Sequence, residues 1–163
     1  MLPEIRTILY PTDLNPRAPE VFRYAMSLAH RYDASIVLLH VVEPLTHYAQ
    51  SLVKMYAPQK GEGLPGDARE RILSDLHQRL RHFCKDEVCV DLGGDERVRE
   101  IRVVEGQPAE VILQEVERVE ADLVVLGAHG HTALGEVLLG SVSNKVAQRS
   151  RAPVLLVRLP DKG

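Results

Sequence analysis

Apolar runs alternate five times along this chain with segments of helical periodicity, and that alternation limits the possible folds more than any other feature. The runs are Ile5 to Tyr10, Ser35 to Val42, Glu100 to Val104, Asp122 to Gly127 and Val154 to Arg158. Ser35-Ile-Val-Leu-Leu-His-Val-Val42 is nearly continuous, the pattern of a strand buried on both faces of a parallel sheet. Between the runs, Val21, Phe22, Ala25, Met26, Ala29 and Tyr32 recur at helical spacing. So do Ile72, Leu76, Leu80 and Phe83, and then Val111, Ile112, Val116 and Val119. Helices are predicted to open at Asn15 and Pro16, as cap and first helical position, then near Asp67, at Pro108, and from Gly140 to Ser150. A repeated βα unit predicts a parallel sheet with helices on both faces and right-handed crossovers.

The chain has 163 residues, 45% of them hydrophobic, which fits one domain over 1–163 that buries about 70% of its unfolded surface. Its net charge of -3 is spread over both signs without a basic run, which argues against nucleic acid or an anionic membrane as partner. Apolar runs such as Ile36 to Leu39 fall far short of the roughly 18 residues a membrane helix needs. Met1-Leu-Pro-Glu lacks a signal pattern, so a cytoplasmic protein without membrane insertion is expected. Cys84 and Cys89 match neither a redox C-x-x-C nor a zinc knuckle and read as reduced thiols. The connection from Pro44 to Gly66 is too long for a simple turn. A short helix over Tyr48 to Ala57 is expected there, as a lid, a partner surface or merely a variable loop.

The chemistry concentrates in Gly127-Ala-His129-Gly130-His131-Thr-Ala-Leu-Gly135-Glu-Val-Leu-Leu-Gly140-Ser141-Val142-Ser143. An apolar strand runs into a glycine-rich loop and then a helix start, whose unpaired N–H groups and partial positive charge suit an anion. Glycine serves where the backbone must come close to a ligand, and Ser141 adds a hydroxyl donor. Taken singly, each glycine reads as a turn. Gly135-x4-Gly140-Ser141 imitates a Walker A loop but lacks its lysine and its preceding strand, so a P-loop NTPase is rejected. No G-x-G-x-x-G follows a predicted strand, which removes the dinucleotide fingerprint. In a doubly wound sheet the ligand sits beyond the carboxyl ends of the strands, where strand order reverses. Pro11-Thr12-Asp13, Val41 and the segment from Gly127 onward therefore converge on one crevice. Asp13 there can accept ribose hydroxyls, hold a cation or cap the next helix. His129 and His131 do not form an H-x-x-H pair or a metal set, His77 and His82 lie off one another's helix face, and His30, His40 and His47 show no evident partners. No catalytic set emerges.

At this point the chain resembles the universal stress proteins, and in particular their ATP-binding subgroup. Gly127-x2-Gly130-x9-Gly140-Ser141 matches that subgroup's G-x2-G-x9-G-S/T pattern. The likeness extends to Ile8-Leu-Tyr-Pro-Thr-Asp13, Leu39-His-Val-Val42, Val104-Glu-Gly-Gln-Pro-Ala109 and Arg151-Ala-Pro-Val-Leu-Leu-Val157. The resemblance implies a single-domain flavodoxin/Rossmann-like sheet of order 3-2-1-4-5. It implies ATP, or ADP or AMP, bound with Mg2+: adenine near Val41 and the Pro11-Thr12 turn, ribose near Asp13, phosphates on Gly127, Gly130, Gly140, Ser141 and Ser143. His129 and Val142 fall within the same motif. Position 131 is usually basic in the family; His131 makes that charge dependent on pH. The function implied is a cytoplasmic, ATP-binding regulator or sensor of stress with an unidentified downstream protein partner. The alternatives are a member that works by dimerisation without nucleotide, or a weak ATP hydrolase. In the implied order strand five is an edge, and apolar Val154-Leu-Leu-Val157 predicts an antiparallel homodimer through 154–158.

Overall fold

A computed structural model describes residues 1–44, 65–88, 97–128 and 139–160. Five parallel strands form one sheet: β1 (Thr7–Pro11), β2 (Ser35–Val42), β3 (Val98–Glu105), β4 (Leu123–Gly127) and β5 (Val154–Val157), in the order β3-β2-β1-β4-β5. The described helices are α1 (Ala18–Tyr32), α2 (Pro65–Val88), α3 (Pro108–Arg118) and α4 (Ser141–Arg149). The alternation read from the sequence is thus the alternation of the fold, and the strand order is the one the resemblance implies.

Strand pleat divides the core in two. Ile8, Tyr10, Ile36, Leu38, Leu123 and Val125 face α1 and α2, where Val21, Phe22, Ala25, Leu80 and Cys84 meet them. Leu9, Val37, Leu39, Val124 and Leu126 face the other way, against Val111, Ile112 and Val116 of α3 and Val146 of α4. Ile36, Val37, Leu38 and Leu39 are all fully buried, which explains the unbroken apolar run of β2. Tyr10, Phe22 and Phe83 pack in sequence as tilted rings with centroids 5.2 Å apart, tying β1 to α1 and α2.

Several boundaries move from their expected places. β1 starts at Thr7 rather than Ile5, because Oδ2 of Asp122 accepts the N–H groups of Arg6 at 2.8 Å and Thr7 at 2.9 Å and so fixes where the strand enters the sheet. Asn15 does not cap α1. Its Oδ1 accepts the N–H of Arg17 at 2.7 Å in a preceding turn, Arg17 is the cap residue, and Pro19 rather than Pro16 lies in the first helical turn. β3 extends to Val98–Glu105. α2 begins at Pro65, two residues before the expected start, and runs to Val88. Ile72 and Tyr32, expected in the core, are 54% and 52% exposed. Steps of four residues overshoot a 3.6-residue turn by 40°, so the row Ile72, Leu76, Leu80 drifts around α2 from an exposed Ile72 through a half-buried Leu76 to a buried Leu80. Tyr32 ends α1 beyond the sheet, just before Asp33 turns the chain with φ 53°. Tyr48 to Ala57 and Cys89 lie outside the described residues.

Candidate functional site

At the carboxyl ends of β1, β2 and β4, a cleft of about 390 Å3 opens between the β1–α1 connection and the start of α4. This is the point where the order 3-2-1-4-5 reverses direction, the position at which doubly wound sheets bind ligands. Its volume lies in the range of small-molecule sites. A larger depression of about 830 Å3 at the opposite end of the sheet is lined by Glu4, Glu117, Glu120, Asp122 and Arg151 among largely apolar residues.

Of the twelve residues singled out in the sequence, nine line the cleft: Pro11, Thr12, Asp13, Val41, Gly127, Gly140, Ser141, Val142 and Ser143. His129, Gly130 and His131 lie outside the described residues. The ends of β1, β2 and β4 and the start of α4 therefore meet on one concave surface, to which Leu39, Leu126 and, from α3, Ile112 add apolar lining.

The start of α4 is open in a specific way. Its cap residue is Gly140, with φ -58° and ψ 152° and no side chain to fold back on the helix. The first intrahelical bond runs from Asn144 N–H to the Gly140 carbonyl at 2.9 Å. The N–H groups of Ser141, Val142 and Ser143 thus have no backbone acceptor among the described residues and lie at the positive end of the helix dipole. Ser143 is buried, and its hydroxyl donates to the Gly127 carbonyl at 3.1 Å. That bond fastens α4 to the end of β4 and commits the Ser143 proton, so Ser143 offers a ligand its backbone N–H, while the hydroxyl of exposed Ser141 has no partner among the described residues.

Across the cleft, the end of β1 is held to β2 by two bonds. Thr12 N–H donates to the Leu39 carbonyl at 2.8 Å, and Nδ1 of His40 lies 2.8 Å from the Thr12 carbonyl. A carbonyl only accepts, so Nδ1 carries the proton. Thr12 Oγ1 then accepts the Leu14 N–H at 3.1 Å, which holds Leu14 in the left-handed region with φ 58°. A leucine there is strained, a condition that concentrates at functional loops. Asp13 is exposed, and its Oδ1 accepts the backbone N–H of Asn15 at 3.1 Å as well as the Asn15 side-chain amide. It shapes this loop rather than capping α1, and Oδ2 remains available to the cleft.

The cleft's charge is distinctive. Asp13 and Glu43 line it, and no lysine or arginine does so among the described residues. Its attraction for an anion rests on backbone dipoles. His40 and Glu43 are lining residues that sequence reasoning passed over, and the finding corrects the reading of His40 as partnerless. The signal was present: His40 is the one polar side chain inside the apolar run from Ile36 to Val42, at the carboxyl end where a site forms.

On the far side of α3 a charge cluster braces β3. Buried Glu115 accepts from Arg102 at 2.9 Å and from Arg118 at 2.8 Å, and Glu100 accepts from Arg118 at 3.1 Å. The Glu115 and Glu100 carboxylates raise the Arg118 pKa. This cluster lies outside the cleft lining and serves the packing of α3 on the edge strand.

Comparison with known proteins agrees with this architecture. The universal stress protein MJ0577 of Methanocaldococcus jannaschii is 27% identical over 158 residues, covering 94% of each chain. A solved structure of protein MJ0577 matches with a TM-score of 0.71 at 24% identity, covering 98% of this chain and 100% of that one. A universal stress protein of Thermus aquaticus is 31% identical over 153 residues, 94% of this chain and 98% of the relative. Two further structures share the fold. A universal stress protein in complex with cAMP gives a TM-score of 0.63 at 22% identity, covering 95% and 98% of the two chains. One from Archaeoglobus fulgidus in complex with dAMP gives 0.53 at 18%, covering 93% and 96%. No described helix is long and apolar enough to cross a membrane. The sequence model of the universal stress protein family matches residues 4–158, and the chain belongs to that family.

Proposed function

We propose that this protein binds an adenine nucleotide, ATP with Mg2+, in the cleft between β1, β2, β4 and α4, and acts as a cytoplasmic regulator or sensor in the response to stress. The observation that carries the reading is the uncapped start of α4 on a cleft at the topological switch point. Ser141, Val142 and Ser143 present N–H groups and Ser141 a hydroxyl, and charge-assisted bonds of that kind are worth about 1.5–3 kcal/mol each. Gly127, Gly130 and Gly140 complete the phosphate loop, His129 and His131 flank Gly130, Pro11, Thr12 and Val41 meet the adenine, and Oδ2 of Asp13 accepts a ribose hydroxyl. Two structural neighbours are complexes with cAMP and dAMP. Those ligands differ at the ribose hydroxyls and share adenine and phosphate, the two groups this cleft is suited to hold.

Mg2+ follows from the charge of the lining. With Asp13 and Glu43 present and no lysine or arginine among the described lining residues, a polyphosphate enters against two carboxylates. A divalent ion on the phosphates removes most of that repulsion. Strand β5 supplies the second half of the proposal, a homodimer through 154–158. Calorimetric titration with ATP, with and without Mg2+, tests the ligand, and mass spectrometry of nucleotide released from purified protein identifies the resident species. Saturable ATP binding that strengthens with Mg2+ supports the reading. Lack of binding by ATP, ADP and AMP at millimolar concentration, with no nucleotide released, refutes it.

A further inference from the structure

We infer that the depression at the amino end of the sheet is a docking surface for a partner protein, and that it takes an extended segment in which arginine or lysine alternates with apolar residues. The surface lies at the far end of the strands from the cleft, so the assignment goes beyond the nucleotide reading and does not depend on it. Its volume is about 830 Å3. Leu2, Ile5, Tyr32, Val116 and Pro153 supply apolar lining, and Leu2 and Tyr32 are among the large apolar side chains that folding leaves exposed. Apolar side chains exposed together in a depression mark a contact surface, whereas scattered single ones do not.

Charge decides the partner. Glu4, Glu117, Glu120 and Asp122 line the depression against one guanidinium, that of Arg151, among the described lining residues. Glu4 pairs with Arg6, and Arg151 lies 3.3 Å from Glu117, but both pairs are exposed and offset only part of the charge. Glu120 has no ion pair or side-chain hydrogen bond among the described residues, and Oδ2 of Asp122 accepts only the backbone N–H groups of Arg6 and Thr7. The turn that carries Glu120 is fixed by bonds from the Glu120 N–H to the Glu117 carbonyl at 3.3 Å and from the Ala121 N–H to the Val116 carbonyl at 3.0 Å. Helix ends act in the same direction: α1 ends at Tyr32 and α3 at Arg118, so the negative ends of both dipoles lie at this end of the sheet. A metal ion does not fit, because no three acidic, histidine or cysteine groups among the described residues converge to hold one. Nucleic acid and anionic lipid are repelled by the same carboxylates. A segment whose cationic side chains meet Glu120 and Asp122 while its apolar ones cover Leu2 and Tyr32 satisfies both halves of the surface, and an arginine over the Tyr32 ring adds a cation–π contact.

The probe is a short fluorescein-labelled peptide in which arginine and leucine alternate, beside two controls, one with glutamate for arginine and one with alanine for leucine. Fluorescence anisotropy is expected to show the wild type binding the arginine–leucine peptide at least about tenfold more tightly than either control. Glu120→Lys is expected to weaken that binding at least about fivefold and to reduce its salt dependence. Tyr32→Ser is expected to weaken it by a similar factor and to keep the salt dependence, since it removes apolar contact and no charge. ATP affinity should be the same in Glu120→Lys as in the wild type, so a failure of the docking surface and a failure of the nucleotide reading are told apart. Equal binding of the arginine–leucine and arginine–alanine peptides overturns the assignment, as does unchanged affinity in both variants. A wild-type dimer that Glu120→Lys dissociates in the absence of peptide makes a second copy of the chain the occupant and overturns it too. Amide 1H–15N spectra of the wild type test the surface without a variant: the peptide should move the signals of Tyr32, Glu120 and Arg151 and leave those of Thr12, Gly127 and Ser141 in place. Absence of shifts at the first three refutes the docking surface.

Discussion

Replacing Ser141 by aspartate should strengthen the fold and weaken ATP binding at the same time. Ser141 is the first residue of α4 after an uncapped Gly140, and its side chain is exposed. A carboxylate in the first turn of a helix gains about 0.3–1 kcal/mol from the helix dipole. For a domain of this size that corresponds to a rise in Tm of about 1–4 °C. The same carboxylate would stand roughly 5–6 Å from a phosphate seated on the N–H groups of Ser141, Val142 and Ser143. At that distance two unit charges repel by about 0.8 kcal/mol in bulk water and about 3 kcal/mol at an effective dielectric constant of about 20. Exposure of Ser141 places the cost toward the lower end, about 1.4 kcal/mol, a tenfold loss of ATP affinity.

Calorimetry with ATP and with adenosine, beside thermal melts, gives the three numbers required. Adenosine lacks phosphate, so its affinity should be unchanged. Because the repulsion is between partly exposed charges, the ATP defect should shrink as salt is raised from about 0.05 to 0.5 M. If Ser141→Asp leaves the ATP affinity at the wild-type value while adenosine still binds, the phosphates do not sit on α4. Equal losses for ATP and adenosine would point to a distorted cleft instead and would likewise remove the charge argument.

Gly106→Ala should destabilise the β3–α3 turn. A Cβ on Gly106, at φ +158°, would lie 2.6 Å from Cγ2 of Val111, an overpacking that costs about 1–3 kcal/mol, so an unchanged Tm would contradict the geometry. Hydrogen bonds from Lys145 and then Arg149 hold the Glu110 carboxyl below its usual range. A group depressed in the folded state contributes stability above its unfolded pKa and loses it as pH falls through the folded value. The stability difference between wild type and Glu110→Gln should therefore be present at pH 6 and vanish in acid, and a 13C titration of Glu110 no lower than that of glutamate in a short peptide would rule this out. Leu156→Pro should turn a homodimer into monomers while Leu156→Ala, which keeps the N–H, should not; light scattering that finds a monomeric wild type, or a dimer in the proline variant, would exclude the β5 interface.

Strand identity was legible because burial on both faces of a parallel sheet leaves a signal that local propensity does not blur, as the run Ile36 to Leu39 shows, whereas the order 3-2-1-4-5 followed from the family resemblance alone. The cleft was legible for a related reason. Glycines and polar residues at the ends of apolar strands, Thr12, Asp13 and Gly127, stand out against their neighbours. What escaped was set by tertiary contact. The start of β1 depends on Asp122, 115 residues away from Thr7, which no local pattern around Ile5 reveals. The true start of α1 depends on competition among short polar side chains. Asp13 and Asn15 satisfy one another and Arg17 in successive turns, and the helix waits until Ala18. His40 was read as lacking a partner because that partner is a backbone carbonyl, that of Thr12 just beyond β1, invisible to any search for matched side chains.

The two sheet edges differ in a way that favours β5 for the proposed pairing. In β3, the bond from Gly106 N–H to the Val42 carbonyl sets the phase of the ladder, so Ile101, Val103 and Glu105 turn their backbone groups outward. Nε2 of His77, on α2, lies 3.1 Å from the outward carbonyl of Ile101, and Arg69 of the same helix pairs with Glu105. That edge also carries Arg99, Glu100 and Arg102, a density of charge that opposes strand addition. β5 is built differently. Val124 N–H bonds the Pro153 carbonyl and Ala128 N–H the Val157 carbonyl, both at 2.9 Å, which turns the N–H and C=O groups of Val154 and Leu156 away from β4. No charged side chain occurs between Val154 and Val157, and Leu155 is 37% exposed. Proline stands at 153, before the first outward donor, where it does not obstruct a partner. Four residues offer few backbone bonds by themselves. An isologous antiparallel pair doubles them about the two-fold axis and buries Leu155 of each copy, so the edge without side-chain protection is the one on which self-association costs least.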